Sequence, residues 1–275
     1  LARNVSQDND SHGVLLAASN TYFAQNTVDS NGVWGLMCYL SSHDTITRNN
    51  LGGTVLHPDS IVLSSCTQVL DFTRNWWGTA DSSRIHERIW GAGRDTIVYT
   101  PFRLGAVDTA AGADTVAPDS PATVAAAAFA GGCTVSWSAV TLNEDGTVCA
   151  DLAGYRVYRS LARDTSDWGM PIATVGSSFL AYVDQAASPL VENHYRVTAF
   201  DNHAPLENQS FYSDSIAGCT PTLAPWYGPT WYVSGNTGSD TAGNGSEAWP
   251  LRRIGQALAL CRAGGVPARA VSAYV

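Results

Sequence analysis

Lysine is missing altogether. All 15 Lys-or-Arg positions are arginine, and the formal net charge is -9. The arginines form no basic cluster, which argues against nucleic acid as a partner, because phosphate binding needs a local positive surface. The same deficit argues against docking on anionic lipid. No apolar run approaches the roughly 20 residues of a membrane helix, so membrane insertion is not expected. No secretory leader is recognisable. The six cysteines, Cys38, Cys66, Cys133, Cys149, Cys219 and Cys261, include no CxxC pair, which speaks against a zinc site. Patterns for long amphipathic helices are almost absent. No set of residues has the spacing of a catalytic, cofactor-binding or metal-binding site, and none is singled out as one.

What is present is β-structure. Val, Tyr, Trp and Thr recur in short runs between Gly, Ser, Asn and Asp, the pattern of strands and turns. At 275 residues the chain has room for two domains of ordinary size. Position 1 is Leu and falls within a repeat, so a piece of a longer protein is expected.

The first segment repeats. Asn4, Asn26, Asn49 and Asn75 recur at intervals of about two dozen residues, the range of solenoid coils. Between them, Val14, Leu16, Phe23, Leu36, Cys38, Ile46, Ile61, Leu63 and Phe72 mark short strands. One coil cannot bury its inward face alone, and stacking coils about 4.8 Å apart builds a continuous core. Asn at one corner of successive coils can form a ladder of side-chain amides. It also tolerates the left-handed backbone that such corners need. This reading is preferred to one in which the asparagines bind sugar.

The Asn repeats, then Asn75-Trp76-Trp77-Gly78, then Ile85 and Ile89, then Val98 to Phe102, resemble the last coils of right-handed parallel β-helices of the pectate-lyase-like superfamily. The spacer between Val98 and Tyr99 is lacking. The resemblance covers residues 1–105 and implies a fold more than an activity. Trp76 and Trp77 are expected to cover the open end of the last coil. The superfamily contains polysaccharide lyases, glycosidases and non-enzymatic surface proteins. Its enzymes use clustered Asp, with Arg or Lys as base in the lyases. Here the acids are scattered over Asp8, Asp10, Asp29, Asp44, Asp59, Asp71, Asp81, Glu87 and Asp95. Asp71 and Arg74 come nearest to a catalytic pair and are expected to form a solvated surface pair.

Residues 106–122 read as a linker. Strands are expected at Thr123–Phe129, Cys133–Ser138, Gly154–Arg159, Pro171–Val175, Phe179–Val183, His194–Ala199 and Phe211–Ala217. Short strands at such spacing indicate an antiparallel sandwich. Residues 123–220 resemble a fibronectin type III domain, carried by Ala117–Val124, Val135–Trp137, Gly154–Arg159 and His194–Asp201. The resemblance implies a tyrosine corner at Tyr195, its hydroxyl bonded to upstream backbone. The acidic stretch Asn143–Asp151 lengthens one loop. A Cys133–Cys149 or Cys133–Cys219 bridge, or buried free thiols, would each suit the spacing.

Residues 221–230 read as a second linker. From 231 to 275 the chain resembles the N-terminal cap of another such β-helix, cut short. Tyr232–Ser234, Gly238–Asp240, Pro250, Ile254, Ala257 and Leu258 carry the likeness. Pro250 suits the first turn of a helix. Ile254, Leu258 and Cys261 would share one face, and Gly264-Gly265 would end it. Val266, Val271 and Val275 hint at a strand. The Asp240–Glu247 loop invites comparison with a calcium loop without matching its acid spacing, so calcium is the one cofactor considered.

The fold class expected is all-β: a parallel β-helix, a sandwich and a partial cap with a short helix. The function expected is a non-catalytic structural or adhesive part of a large secreted or surface-attached bacterial protein. Its partners would be polysaccharide or neighbouring domains. The alternative is a fragment of a polysaccharide lyase or glycoside hydrolase whose active coils lie elsewhere.

Overall fold

A computed structural model describes residues 1–53, 61–165, 167–228, 230–263 and the backbone of 270–274. Asp59, Gly264, Gly265, Val266 and Val275, named above, lie outside the described residues.

The chain is all-β with short helices, and it begins as a parallel β-solenoid of about four turns. The first coil carries β1 (Val5–Gln7), β2 (His12–Leu16) and β3 (Tyr22–Ala24). The second carries β4 (Thr27–Asp29), β5 (Trp34–Cys38) and β6 (Thr45–Thr47). The third carries β7 (Asn50–Leu51), β8 (Val62–Ser64) and β9 (Leu70–Asp71). The fourth holds α1 (Ser82–Glu87), β10 (Ile89–Trp90) and β11 (Ile97–Val98). Like strands stack into three parallel sheets, β1-β4-β7, β2-β5-β8-β10 and β3-β6-β9-β11. Register places like on like: Val14, Leu36, Val62 and Ile89 form one apolar column through the second sheet. Val28 stacks on Leu51, and Phe23 on Ile46.

The asparagine ladder is present. Asn26, Asn49 and Asn75 are fully buried. Each Oδ1 accepts both the backbone N–H and the side-chain amide of the asparagine one coil earlier, at 2.8–2.9 Å from Asn4 to Asn75. A shorter second ladder joins Asn9 to Asn31. The ladder residues are not the ones in the left-handed conformation. Arg3, Gln25, Arg48 and Arg74, each just before a ladder Asn, have φ of 57, 57, 53 and 60°. The side-chain bonds hold the asparagine in place, and the residue before it makes the turn.

Trp77 is fully buried against Phe72 and the edge of Tyr99. Trp76 is half-buried, and its backbone adds a one-residue rung beside Asn50. Helix α1 lies over this end. Asp81 caps it by accepting from the Ser83 N–H, and Ile85 is fully buried beneath it.

The second unit is an antiparallel sandwich. Its strands are β12 (Val124–Phe129), β13 (Gly132–Trp137), β14 (Leu152–Ser160), β15 (Ala173–Gly176), β16 (Ala181–Asp184), β17 (Asn193–Asp201) and β18 (Ala217–Cys219). Sheet β12-β13-β16 faces sheet β15-β14-β17-β18. Val135, Tyr155, Val157, Tyr195 and Val197 fill the space between them, and Trp137 packs on Tyr155 at 5.5 Å. Of the two pairings considered, Cys133–Cys219 forms, linking β13 of one sheet to β18 of the other. Cys149 remains a thiol.

Two expectations are corrected here. The last strand begins at Ala217 rather than Phe211, because before it serine hydroxyls take one of the two bonds of each ladder pair while the Ser210 and Ser213 N–H groups keep the other. Ser210 and Ser213 accept the Ala199 and Val197 N–H groups through their side chains. The Tyr195 hydroxyl finds a carboxylate, Asp184, rather than backbone.

The tail pairs two parallel strands across a helix. β19 (Thr230–Ser234) pairs in parallel with β20 (Ala270–Tyr274), and α2 (Ile254–Ala263) lies between them in sequence. Pro250 lies before this helix rather than in its first turn. The Asp240 carboxylate accepts the Arg252 and Arg253 N–H groups just ahead of it. The helix buries Ala257 and Cys261 with Trp231, Val233 and Leu251. Ile254, Leu258 and Leu260 stay largely exposed, so the buried face is narrower than the apolar pattern suggests.

Candidate functional site

The corner residues Arg3, Gln25, Arg48 and Arg74 stack one above another, because each precedes a ladder asparagine. Their left-handed backbones turn the side chains outward along one flank. The segment 103–117 runs back over this flank from the last coil towards the first. Val107 exchanges bonds with the Asn50 side chain at 2.7 and 2.8 Å. Thr109 meets Thr27 at 3.0 Å. Arg3 donates to the Ala110 carbonyl, and Gln25 donates to Thr115 Oγ1 at 2.8 Å. Val107, Asp108, Thr115 and Ala117 are buried as a result. The expected linker is thus a strap laid on the solenoid.

The sandwich docks on the same flank. Glu144, on the loop between β13 and β14, enters between Arg48, Arg74 and Arg103. Its side chain is only 6% exposed, and that of Arg103 only 5%. Burial pushes the Arg103 guanidinium below its usual range, and the Glu144 charge opposes this. His203 meets Asp108 at 3.2 Å, and Asn208 donates to the Asp114 carbonyl, so a second sandwich loop grips the strap. Sequence reasoning missed this junction. Its signal was an Arg or Gln before every ladder Asn: Arg3, Gln25, Arg48 and Arg74.

Carboxylates also converge where strap meets sandwich. Oxygens of Asp114, Asp151 and Asp201 lie within 4.8 Å of one another. Burial pushes the Asp201 carboxyl above the usual range, the nearby Asp151 charge adds to this, and hydrogen bonds from Asn208 and the His203 N–H oppose it. Oxygen ligands in such a group suit a hard cation. The Asp240 loop considered for calcium has a different use. Its carboxylate serves the two backbone N–H groups before α2 and pairs with Arg253.

The nearest approach to a catalytic pair dissolves. Asp71 accepts from the Thr73 N–H, while Arg74 turns to Glu144 at 3.7 Å.

Two grooves are lined by aromatic side chains. One, of about 390 Å³, lies where Thr100–Leu104 leave the solenoid and meet Trp168, Arg196, Phe211, Tyr212 and Asp214 of the sandwich. The other, of about 430 Å³, lies between the sandwich and the tail and is lined by Leu190, Trp226, Tyr227, Trp231 and Leu260. The first is lined by two charged side chains, Arg196 and Asp214, and the lining of the second includes none.

No protein-family model matches the chain, and no curated protein matches it. Among solved structures, it is similar to a β-1,2-glucanase from Parabacteroides distasonis at 25% identity and a TM-score of 0.31. That match covers 42% of this chain and 14% of the glucanase. A Fn3-like protein from Clostridium thermocellum matches at 18% identity and a TM-score of 0.28, over 40% of this chain and 98% of that one. The Clostridium perfringens spore cortex lytic enzyme SleM matches at 14% identity and a TM-score of 0.25, over 43% and 39%. The chain therefore spans a small part of the glucanase and about two-fifths of the lytic enzyme.

Proposed function

We propose that this chain is a non-catalytic structural and adhesive segment of a large secreted or surface-attached bacterial protein. In this reading a pectate-lyase-like β-helix carries a fibronectin type III-like sandwich on its flank, and a second β-helix begins after it. The domain limits are those of the sequence: 1–105, 123–220 and 231–275, with connections at 106–122 and 221–230. The observation that carries the reading is the Glu144 carboxylate held by three arginines from the solenoid side. Withdrawing one partner from such a buried cluster strands the others without compensation, so the contact favours one orientation of the two units. A flexible spacer needs no such contact. The Cys133–Cys219 bridge supports an oxidising, extracellular setting. The Glu144 cluster and the contact of His203 with Asp108 hold the two units together. Polysaccharide or further domains of the same protein remain the proposed partners.

Small-angle scattering on the whole chain tests this. The native protein should scatter as one compact particle, and Glu144→Gln should broaden its distance distribution. A native profile of two independently moving lobes would sink the reading. So would release of reducing or unsaturated ends from a polysaccharide panel.

A further inference from the structure

The groove at the junction contains a cation with no counter-charge in contact. Arg196, on β17, lies with its guanidinium carbon 5.5 Å from the centre of the Trp168 ring and 5.9 Å from that of Tyr212. Trp168 and Tyr212 lean on each other at 6.1 Å. Aromatic faces attract a cation and hold its plane, yet they do not neutralise it. Among the described residues no carboxylate pairs with Arg196. Its Nε is buried without a hydrogen-bond partner. Burial pushes the guanidinium below its usual range, and Tyr212 and Asp214 oppose this. Arg103, by comparison, stacks on Phe211 and also holds Glu144, so its charge is met.

We propose that this groove binds a saccharide ring bearing an oxyanion, a carboxylate or a sulfate ester, with Arg196 taking the anion. The argument is complementarity of two kinds. Phe102, Phe211 and Tyr212 give the groove apolar walls against which the C–H face of a pyranose can lie. The guanidinium fork between the rings offers paired donors that match two oxygens of one anion. About 390 Å³ is room for one or two sugar rings and not for a folded segment. The exposed Asp214 lies on the same rim. It repels an anion, so it sets where the charged group can sit and weakens the affinity. This site goes beyond the structural reading above and rests on its fixed junction, because Phe102 comes from the solenoid side and Arg196 from the sandwich; scattering tests the junction and titration tests the site.

The test is calorimetric titration of the whole chain with three disaccharides on one scaffold: cellobiose, cellobiouronic acid and a cellobiose sulfate ester. Trp168 fluorescence gives a second signal. At least one charged disaccharide should bind about tenfold more tightly than cellobiose, the loss expected when a charged hydrogen bond goes unmade. Which of the two binds better identifies the anion. Arg196→Gln should remove the preference. Asp214→Asn, at an exposed position that does not threaten folding, should tighten the charged ligand about two- to threefold and leave cellobiose unchanged. Equal binding of all three, no binding of any, or no response to either substitution would overturn the proposal. Sodium sulfate or acetate binding as tightly as the disaccharides would overturn the saccharide part.

Discussion

The Tyr195 hydroxyl donates to Asp184 Oδ2 at 2.8 Å, across the interior of the sandwich. The carboxylate is 2% exposed and also accepts from Arg159 Nη1 and the Ala186 N–H. A hydrogen bond to a charged acceptor stabilises more than one to backbone. Tyr195→Phe should therefore cost about 2 kcal/mol rather than about 1. An unchanged denaturation midpoint would mean that Arg159 alone satisfies the carboxylate.

The same hydroxyl makes stability sensitive to alkali. Burial pushes the Tyr195, Tyr158 and Tyr212 phenols above their ordinary value, with the Asp184 carboxylate adding to the effect at Tyr195. The folded chain then keeps protons that the unfolded chain releases near pH 10, so stability falls as pH rises from about 10. Below that the contribution is complete. Tyr195→Phe should flatten the decline, as measured by thermal unfolding from pH 8 to 11.

Asn49 is a fully buried rung in the middle of the ladder. Its amide donates to the Phe23 and Thr47 carbonyls and to Asn75, and its oxygen accepts twice from Asn26. Asn49→Ala leaves several buried groups without partners and should cost about 3 kcal/mol or more. Asn4→Ala, at the exposed end, should cost much less. Equal losses in chemical denaturation would show that the ladder does not act through burial.

The two adjacent tryptophans should separate cleanly. Trp77→Ala empties a fully buried site between Phe72 and Tyr99 and should cost about 3–5 kcal/mol. Trp76→Ala removes a half-buried ring and should lower the unfolding midpoint distinctly less. A reversed order would place the end of the core at Trp76.

The sequence carried the solenoid because its corners repeat within the chain. Asn4, Asn26, Asn49 and Asn75 can be compared with one another without any partner in view. Tyr195 was legible as a buried aromatic, but not its acceptor, because Asp184 lies on the opposite sheet. The docking of Glu144 was hidden for a like reason. Its arginines are up to 96 positions away, and an acid in a Gly-containing loop looks solvated until something covers it. The left-handed turns at Arg48 and Arg74 were missed because the strain of one such residue is small enough for neighbouring bonds to override.

Among the described residues the tail buries five side chains in one cluster, with Trp226 beside them. Isolated repeat units bury too little to be stable by themselves. Amides of Trp231–Val233 should exchange faster than those of Cys133–Trp137. Within the tail, the loop at 238–248 donates from the Gly238 N–H to the Ser234 carbonyl and from the Ser239 N–H to the Pro250 carbonyl, so it should not be the first to open. Equal protection of Trp231–Val233 and Cys133–Trp137 would show that the tail is held by the sandwich.

Solenoids ordinarily gain and lose coils with little consequence, since each contacts only its neighbours. The strap changes that. It meets the third coil at Val107, the second at Thr109 and the first at Ala110, advancing a residue or two for each coil it passes. Strap and solenoid thus act as two scales read against each other, one graduated in residues and the other in coils. Inserting or deleting a coil anywhere beneath the strap would throw every later mark out of phase. Beneath the strap the number of coils is fixed, and growth by duplication is confined to coils that the strap does not touch.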